Sequence, residues 1–212
     1  MSLLSPALLP SVLHFTESLA RVGSENLRRL FALERVTKIR APRKALVING
    51  HPDPRPERYC AALTHACAEG YRAVGWDTEE IALGSMNGMD EPDDDEQARA
   101  FDKYNGAEFI TLVFPLWLNA PPSLVCKFLK QASEADDAIY PARKRKFRIV
   151  VTMDMPAFAH RSPTVAPKIL TPLGVPKPDE QIFIGSVGLI SADLRADWLR
   201  LLRDSVIAPP VR

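Results

Sequence analysis

Residues 45–63 read Ala-Leu-Val-Ile-Asn-Gly-His-Pro-Asp-Pro-Arg-Pro-Glu-Arg-Tyr-Cys-Ala-Ala-Leu, and the rest of the chain is best understood outward from this stretch. It begins as a short apolar run, breaks at Gly50, crosses a proline-stiffened loop and resumes at helical spacing. Cys60, Leu63, Cys67 and Val74 share one face of that helix. A strand that is apolar throughout is buried on both sides, as in a parallel sheet. Runs of the same kind return at 109–114 and 147–151, whereas 78–83 and 181–184 are more polar or shorter and suit sheet edges. Helical patterns fall between them. Ala98 and Phe101 mark one, and Leu124, Val125, Phe128 and Leu129 mark another. The last has Ser191 as N-cap, Asp193 in the first turn and Leu194, Trp198 and Leu201 on one stripe. Strands alternating with helices predict a doubly wound α/β domain over 44–212, a five-stranded parallel sheet of order 2-1-3-4-5.

Residues 1–43 read as an appendage. Val12, Phe15, Leu19, Val22, Leu27, Leu30 and Phe31 recur at roughly helical spacing between charged residues, which predicts a helical arm of one or two amphipathic helices. Such an arm could clasp a second subunit, touch a membrane surface or pack on its own domain. The chain of 212 residues carries 27 basic against 26 acidic groups, and nucleic acid is not expected as its main partner because phosphate neutralisation calls for a basic excess. No apolar run of about 18 residues is present to form a transmembrane segment. Cys60, Cys67 and Cys126 include no C-x-x-C pair and are expected to be reduced core thiols. With no signal-peptide pattern at the N-terminus, a cytoplasmic location is the expectation.

In a sheet of this order ligands bind beyond the carboxyl ends of the strands, at the point where the winding reverses. That rule nominates three loops: 50–58, 115–121 and 153–160. In the first, Pro56 suits the opening of a helix, and a helix N-terminus flanked by His51, Arg55 and Arg58 could cradle a phosphate. Neither the Gly-x-Gly-x-x-Gly nor the Walker A fingerprint is present. The alternative is a stiff turn with solvated charges. His51-Pro52-Asp53 also resembles the start of the His-Pro-Asp-Asp motif of zinc-dependent sugar deacetylases, but Pro54 replaces the second acid and no His-x-x-His follows, so no metal site is expected. The second loop, Pro115-Leu116-Trp117-Leu118-Asn119, offers an indole and backbone amides to a flat heteroaromatic ring; the alternative for Trp117 is the core. The third opens Met153-Asp154 and brings His160.

Taken in order, these segments resemble the flavodoxin-like NAD(P)H:quinone oxidoreductases, the family that includes modulator-of-drug-activity proteins and potassium-efflux accessory oxidoreductases. The resemblance rests on 48–63, on Phe114-Pro-Leu-Trp117 with Pro122-Ser-Leu-Val125, on 150–156, on Ile184-Gly-Ser-Val187 and on Arg195-Ala-Asp-Trp-Leu199. It implies a noncovalently bound FMN or FAD, a homodimer, and transfer of two electrons from NAD(P)H to a quinone or similar small-molecule acceptor. By position, His51, Arg58, Tyr59 and Cys60 would meet the flavin phosphate region. Pro115, Leu116, Trp117, Leu118, Asn119, Met153 and Asp154 would line the ring, and His160 would stabilise charge on reduced flavin or substrate. The sequence departs from the family where its usual Ser-Phe-Asn is Arg58-Tyr59-Cys60, where a glycine is Ala120, and where a Gly-Gly is Met153-Asp154. The alternative these departures raise is a degenerate binding or regulatory subunit without catalysis.

Overall fold

The computed structural model describes residues 43–86, 94–117, 120–139, 145–156 and 178–205. Residues 1–42 of the predicted arm, and with them Leu118, Asn119 and His160, lie outside the described residues. The elements run β1 (Lys44–Asn49), α1 (Tyr59–Ala73), β2 (Asp77–Ala82), a 3₁₀ turn (Leu83–Ser85), α2 (Asp94–Gly106), β3 (Phe109–Pro115), α3 (Ser123–Ile139), β4 (Lys146–Thr152), β5 (Glu180–Ile184) and α4 (Ala192–Ser205). The five strands form one sheet of order β2-β1-β3-β4-β5, and every pairing is parallel.

Burial follows sequence character strand by strand. After an exposed first residue, β1 and β4 are buried throughout, and β3 is buried from its second residue on. The polar runs that make β2 and β5 are only partly covered and hold the two edges. Alternation then divides the strand side chains between two cores. Leu46, Ile48, Ile110, Leu112, Phe114, Phe147, Ile149 and Val151 pack with Ala100 and Tyr104 of α2 and with Val125, Phe128, Leu129 and Ala132 of α3. Ala45, Val47, Val113, Val150 and Ile184 pack with Cys60, Leu63, Cys67, Ala68 and Tyr71 of α1 and with Leu202 of α4. Two helices thus cover each face, as double winding requires.

Two local expectations shift. The stripe on α4 is turned: Leu202 is buried and Trp198 and Leu199 pack beside it, whereas Leu194 and Leu201 are exposed. The helix is seated by the neighbours of Trp198, so the apolar positions 194 and 201 fall to the flank. Val74 is not a core residue either; it is the C-cap that ends α1 before the positive-φ Gly75. Ser191 caps α4 as its sequence suggests, its Oγ accepting the Leu194 N–H at 3.2 Å.

Candidate functional site

The carboxyl end of β1 passes into a loop that is organised by its own side chains. The Gly50 N–H donates to Val113 O at 2.7 Å, so the chain leaves the sheet beside β3. Asn49 Oδ1 accepts the His51 N–H at 3.0 Å, and His51 Nδ1 accepts the Asp53 N–H at 2.9 Å. His51 Nδ1 also lies 3.0 Å from Asp53 O, so the ring is held against both backbone groups of Asp53. The loop is backed by the 3₁₀ turn, where a Cβ on Gly84 would stand 2.3 Å from Pro52 O and 2.6 Å from His51 O. Only glycine permits so close an approach.

Asp53 is the electrostatic centre of this loop. Its Oδ1 accepts the Arg55 N–H at 3.2 Å and Arg55 Nε at 2.9 Å, while Oδ2 accepts from the terminal nitrogen of Arg55 at 2.7 Å and from Arg58 Nε at 2.5 Å. The hydrogen bonds from Arg55, and then those from Arg58, hold the Asp53 carboxyl well below the usual carboxylate range. Asp53 in return raises the pKa of Arg55. Arg58 is the N-cap residue of α1; no side chain caps the helix and its first turn holds no acid. The leading N–H groups of α1 therefore stand at the carboxyl end of a central strand without an anionic partner, next to two guanidinium groups.

Tyr59 and Cys60, the next two positions, are held from below. Tyr59 is half-buried, its ring under the Arg195 guanidinium at 5.3 Å, and burial pushes its hydroxyl up to about 12. Arg195 is itself fixed by a 2.7 Å bond to Val187 O. Cys60 is only 2% exposed, with Sγ 3.3 Å from Thr152 Oγ1, and burial raises its thiol to about 11. Its side chain ties the start of α1 to the end of β4, which leaves only its backbone amide to face a ligand.

In the second loop Pro115 and Leu116 are buried, whereas Trp117 is 48% exposed and not a core residue. Its ring meets His51 edge-on at 5.8 Å, which brings the first and second loops together. The Leu116 N–H donates to Thr152 O at 2.7 Å, and Trp117 and Ala120 exchange N–H···O bonds of 2.9 and 2.8 Å. Three of this loop's amides are thus already engaged. In the third loop the Met153 side chain is turned into the core and Asp154 is exposed. Backbone bonds from Met153 N to Ile184 O (3.0 Å), Val187 N to Met153 O (3.1 Å) and Ser186 N to Met155 O (3.0 Å) staple this loop to the segment after β5. Ser186 takes a positive φ of 54° to make that turn. Among the described residues no group of three or more His, Cys, Asp or Glu could hold a metal ion, and no helix is long and apolar enough to cross a membrane.

The family described as the flavodoxin-like fold matches residues 43–172. The chain belongs to the flavodoxin-like fold family. A search of curated proteins found no match. Solved structures share the architecture of this flavodoxin-like protein at low identity. An NAD(P)H:quinone oxidoreductase from Methanothermobacter marburgensis aligns with a TM-score of 0.60 at 12% identity, over 78% of this chain and 96% of that one. The protein Smu.1420 from Streptococcus mutans aligns at 0.57 and 17%, over 77% and 98%. An FMN-dependent NADH-azoreductase from Bacillus anthracis, determined in complex with FMN, aligns at 0.52 and 13%, over 78% and 98%. At such identities the likeness is one of fold.

His51, Arg58 and Trp117 stand where sequence position places them, but three further residues organise this flavodoxin-like site. Asp53 gathers both arginines, Thr152 receives Cys60, and Arg195 covers Tyr59. The signal for Asp53 was legible: an acid two and five residues ahead of arginines in a proline-stiffened loop. Thr152 and Arg195 are brought in only by tertiary packing.

Proposed function

We propose that this protein is a flavin-dependent NAD(P)H oxidoreductase that passes two electrons to a quinone or similar small acceptor. The observation that carries the proposal is the uncapped N-terminus of α1 at the sheet's carboxyl end, with Arg55 and Arg58 beside it and a half-exposed Trp117 facing His51. Unpartnered N–H groups, a helix dipole and guanidinium groups together suit a phosphate. The indole and His51 edge suit a flat ring. The residues present therefore fit an FMN or FAD held without a covalent bond, its phosphate at 58–60 and its ring toward Trp117, Asp154 and the sequence neighbours Leu118 and Asn119.

A bound flavin would supply the hydride and electron chemistry, which belongs to the cofactor. The protein's own contributions are positional. Arg55 and Arg58 would neutralise the phosphate. Trp117 would exclude water from one edge of the ring. His51, with Nδ1 held by the backbone of Asp53, would offer its ring beside Trp117. His160 is proposed to stabilise charge on the reduced ring or the acceptor. The homodimer, supported by the family resemblance, belongs to the same proposal, as do a cytoplasmic location, supported by the cysteine pattern, and residues 1–43 as an arm separate from 44–212, supported by their helical spacing.

A second reading, a binding or regulatory subunit without catalysis, is favoured by one set of observations. Cys60 is buried against Thr152, the amides of Leu116, Trp117 and Ala120 are taken, and both arginines are occupied by Asp53. The visible spectrum separates the two. Bands near about 375 and 450 nm, on the protein as purified or after incubation with FMN or FAD, that bleach anaerobically with NADH or NADPH support the oxidoreductase. A protein that stays colourless with both flavins supports the binding subunit.

A further inference from the structure

The two arginines beside the α1 N-terminus do not wait for a ligand with free guanidinium groups. Each turns its Nε and a terminal nitrogen onto the Asp53 carboxylate, at 2.9 and 2.7 Å for Arg55 and 2.5 Å for both nitrogens of Arg58. That pair of nitrogens is the edge that matches a carboxylate or phosphate in a two-point contact. Asp53 is also tied to its own loop. Its N–H is fixed on His51 Nδ1, and its Oδ1 also accepts the Arg55 N–H, so the carboxylate is built into the loop. Two positive groups against one negative group leave a single net positive charge where an uncapped helix N-terminus points outward.

We propose that Asp53 is an internal competitor for the phosphate, and that it makes this loop select a doubly charged phosphate monoester over the singly charged phosphates of a pyrophosphate diester. The inference rests on the phosphate reading of the α1 N-terminus given above. A phosphate monoester carries about −1.5 to −2 charge at neutral pH. It can draw the guanidinium edges from Asp53 and still meet the α1 amides, because it brings more charge than the carboxylate it displaces. Each phosphate of a pyrophosphate diester brings no more charge than Asp53 itself and gains little by the exchange. Among flavins, FMN satisfies this rule and FAD does not. Asp53 is thus a specificity-determining residue, set apart from the ring-facing groups Trp117 and His51.

Isothermal calorimetry of the full chain and of Asp53→Asn with FMN, FAD and inorganic phosphate tests this directly. Removing one unit charge beside a dianion at a solvent-exposed position is expected to tighten FMN and phosphate by about tenfold. FAD should tighten by more, so that the preference for FMN shrinks. Asp53→Ser should behave alike, which removes the chance that the Asn amide oxygen keeps the arginines engaged. Affinities that fall or stay level in both variants, while the parent chain binds FMN, would overturn the competition and leave the flavin reading standing. Failure of all three proteins to bind FMN or phosphate would sink the phosphate reading, and this inference with it.

Discussion

On the face covered by α2 and α3, the strands present Leu46, Ile48, Ile110, Leu112, Phe114, Phe147, Ile149 and Val151, and no polar strand residue is buried among them. The face covered by α1 and α4 is mixed. It buries Thr111, Arg148 and Thr152 beside Val47, Val113 and Val150, and each of these side chains has a polar partner. Tyr71 Oη lies 2.8 Å from Thr111 Oγ1, and Cys60 Sγ 3.3 Å from Thr152 Oγ1. Arg148, 4% exposed, donates through Nε to Glu180 Oε2 at 2.6 Å. The difference teaches a division of labour. Apolar packing is tolerant of detail, whereas a network of paired polar groups fixes one arrangement because every misfit leaves an unsatisfied group. The helix that carries the candidate phosphate loop, α1, is the one set on the polar face.

The comparison breaks most severely at Phe128, fully buried between Phe101 and Tyr104 on the apolar face. Phe128→Ala should cost about 3–5 kcal/mol in denaturant unfolding, from lost burial and the cavity it leaves. A loss under about 1 kcal/mol would mean this face is not the main source of stability.

Glu180→Gln probes the other face. Arg148 would keep its charge in the core with its ion-pair partner gone, and one of its terminal nitrogens is unpartnered already. Because Glu180 is 42% exposed, the penalty should fall below that of a fully buried pair, at about 2 kcal/mol in the same assay. A stability equal to the parent's would show that Arg148 is served by other groups.

Tyr71→Phe removes one hydroxyl from the Thr111 pair and should cost about 1–2 kcal/mol, the penalty of leaving a buried hydroxyl unmatched. The same substitution should shift ligand affinity less than stability, since Tyr71 lies about three turns beyond Cys60 along α1. An affinity that falls in step with stability would tie the polar face to the site more tightly than its packing implies.

Alkali supplies the smallest and most selective perturbation. Burial raises Cys60 to about 11 and Cys67 to about 12. Thiols kept neutral in the folded chain contribute stability in full below their ordinary range near pH 9, and that stability is lost as pH rises toward the folded values. Each thiol should cost on the order of 1 kcal/mol per pH unit in that window. Between about pH 9 and 10, below the range where the buried Tyr59 and Tyr71 add their own slope, a Cys60→Ala, Cys67→Ala double variant should lose most of the pH dependence of the unfolding midpoint; an unchanged slope would place the alkaline sensitivity elsewhere.

How much of this was legible in the sequence depends on whether an element's signal is local. The apolar runs at 45–48, 109–114 and 147–151 announce buried parallel strands, and the sheet order follows from double winding. The Ser191 cap is legible because its partner lies three residues on. The turned stripe on α4 is not, because Leu194 and Leu202 are equally apolar and only tertiary packing chooses between them. Within the site, His51, Arg58 and Trp117 could be nominated from loop position, but whether Trp117 faces the core or solvent could not. The hold of Cys60 on Thr152 spans 92 positions and has no local signature. Asp53 lies within five residues of both arginines, but that they turn onto it is a matter of geometry, not of sequence.

The central claim is that the α1 N-terminus holds the phosphate of a flavin, and the most direct test is to compare the dissociation constants of FMN and riboflavin by quenching of flavin fluorescence. The two ligands share a ring and differ by the phosphate alone. The account predicts that FMN binds at least about 100-fold more tightly, the worth of two or more charge-assisted hydrogen bonds at a helix N-terminus. Equal affinities, or no binding of either, would contradict it.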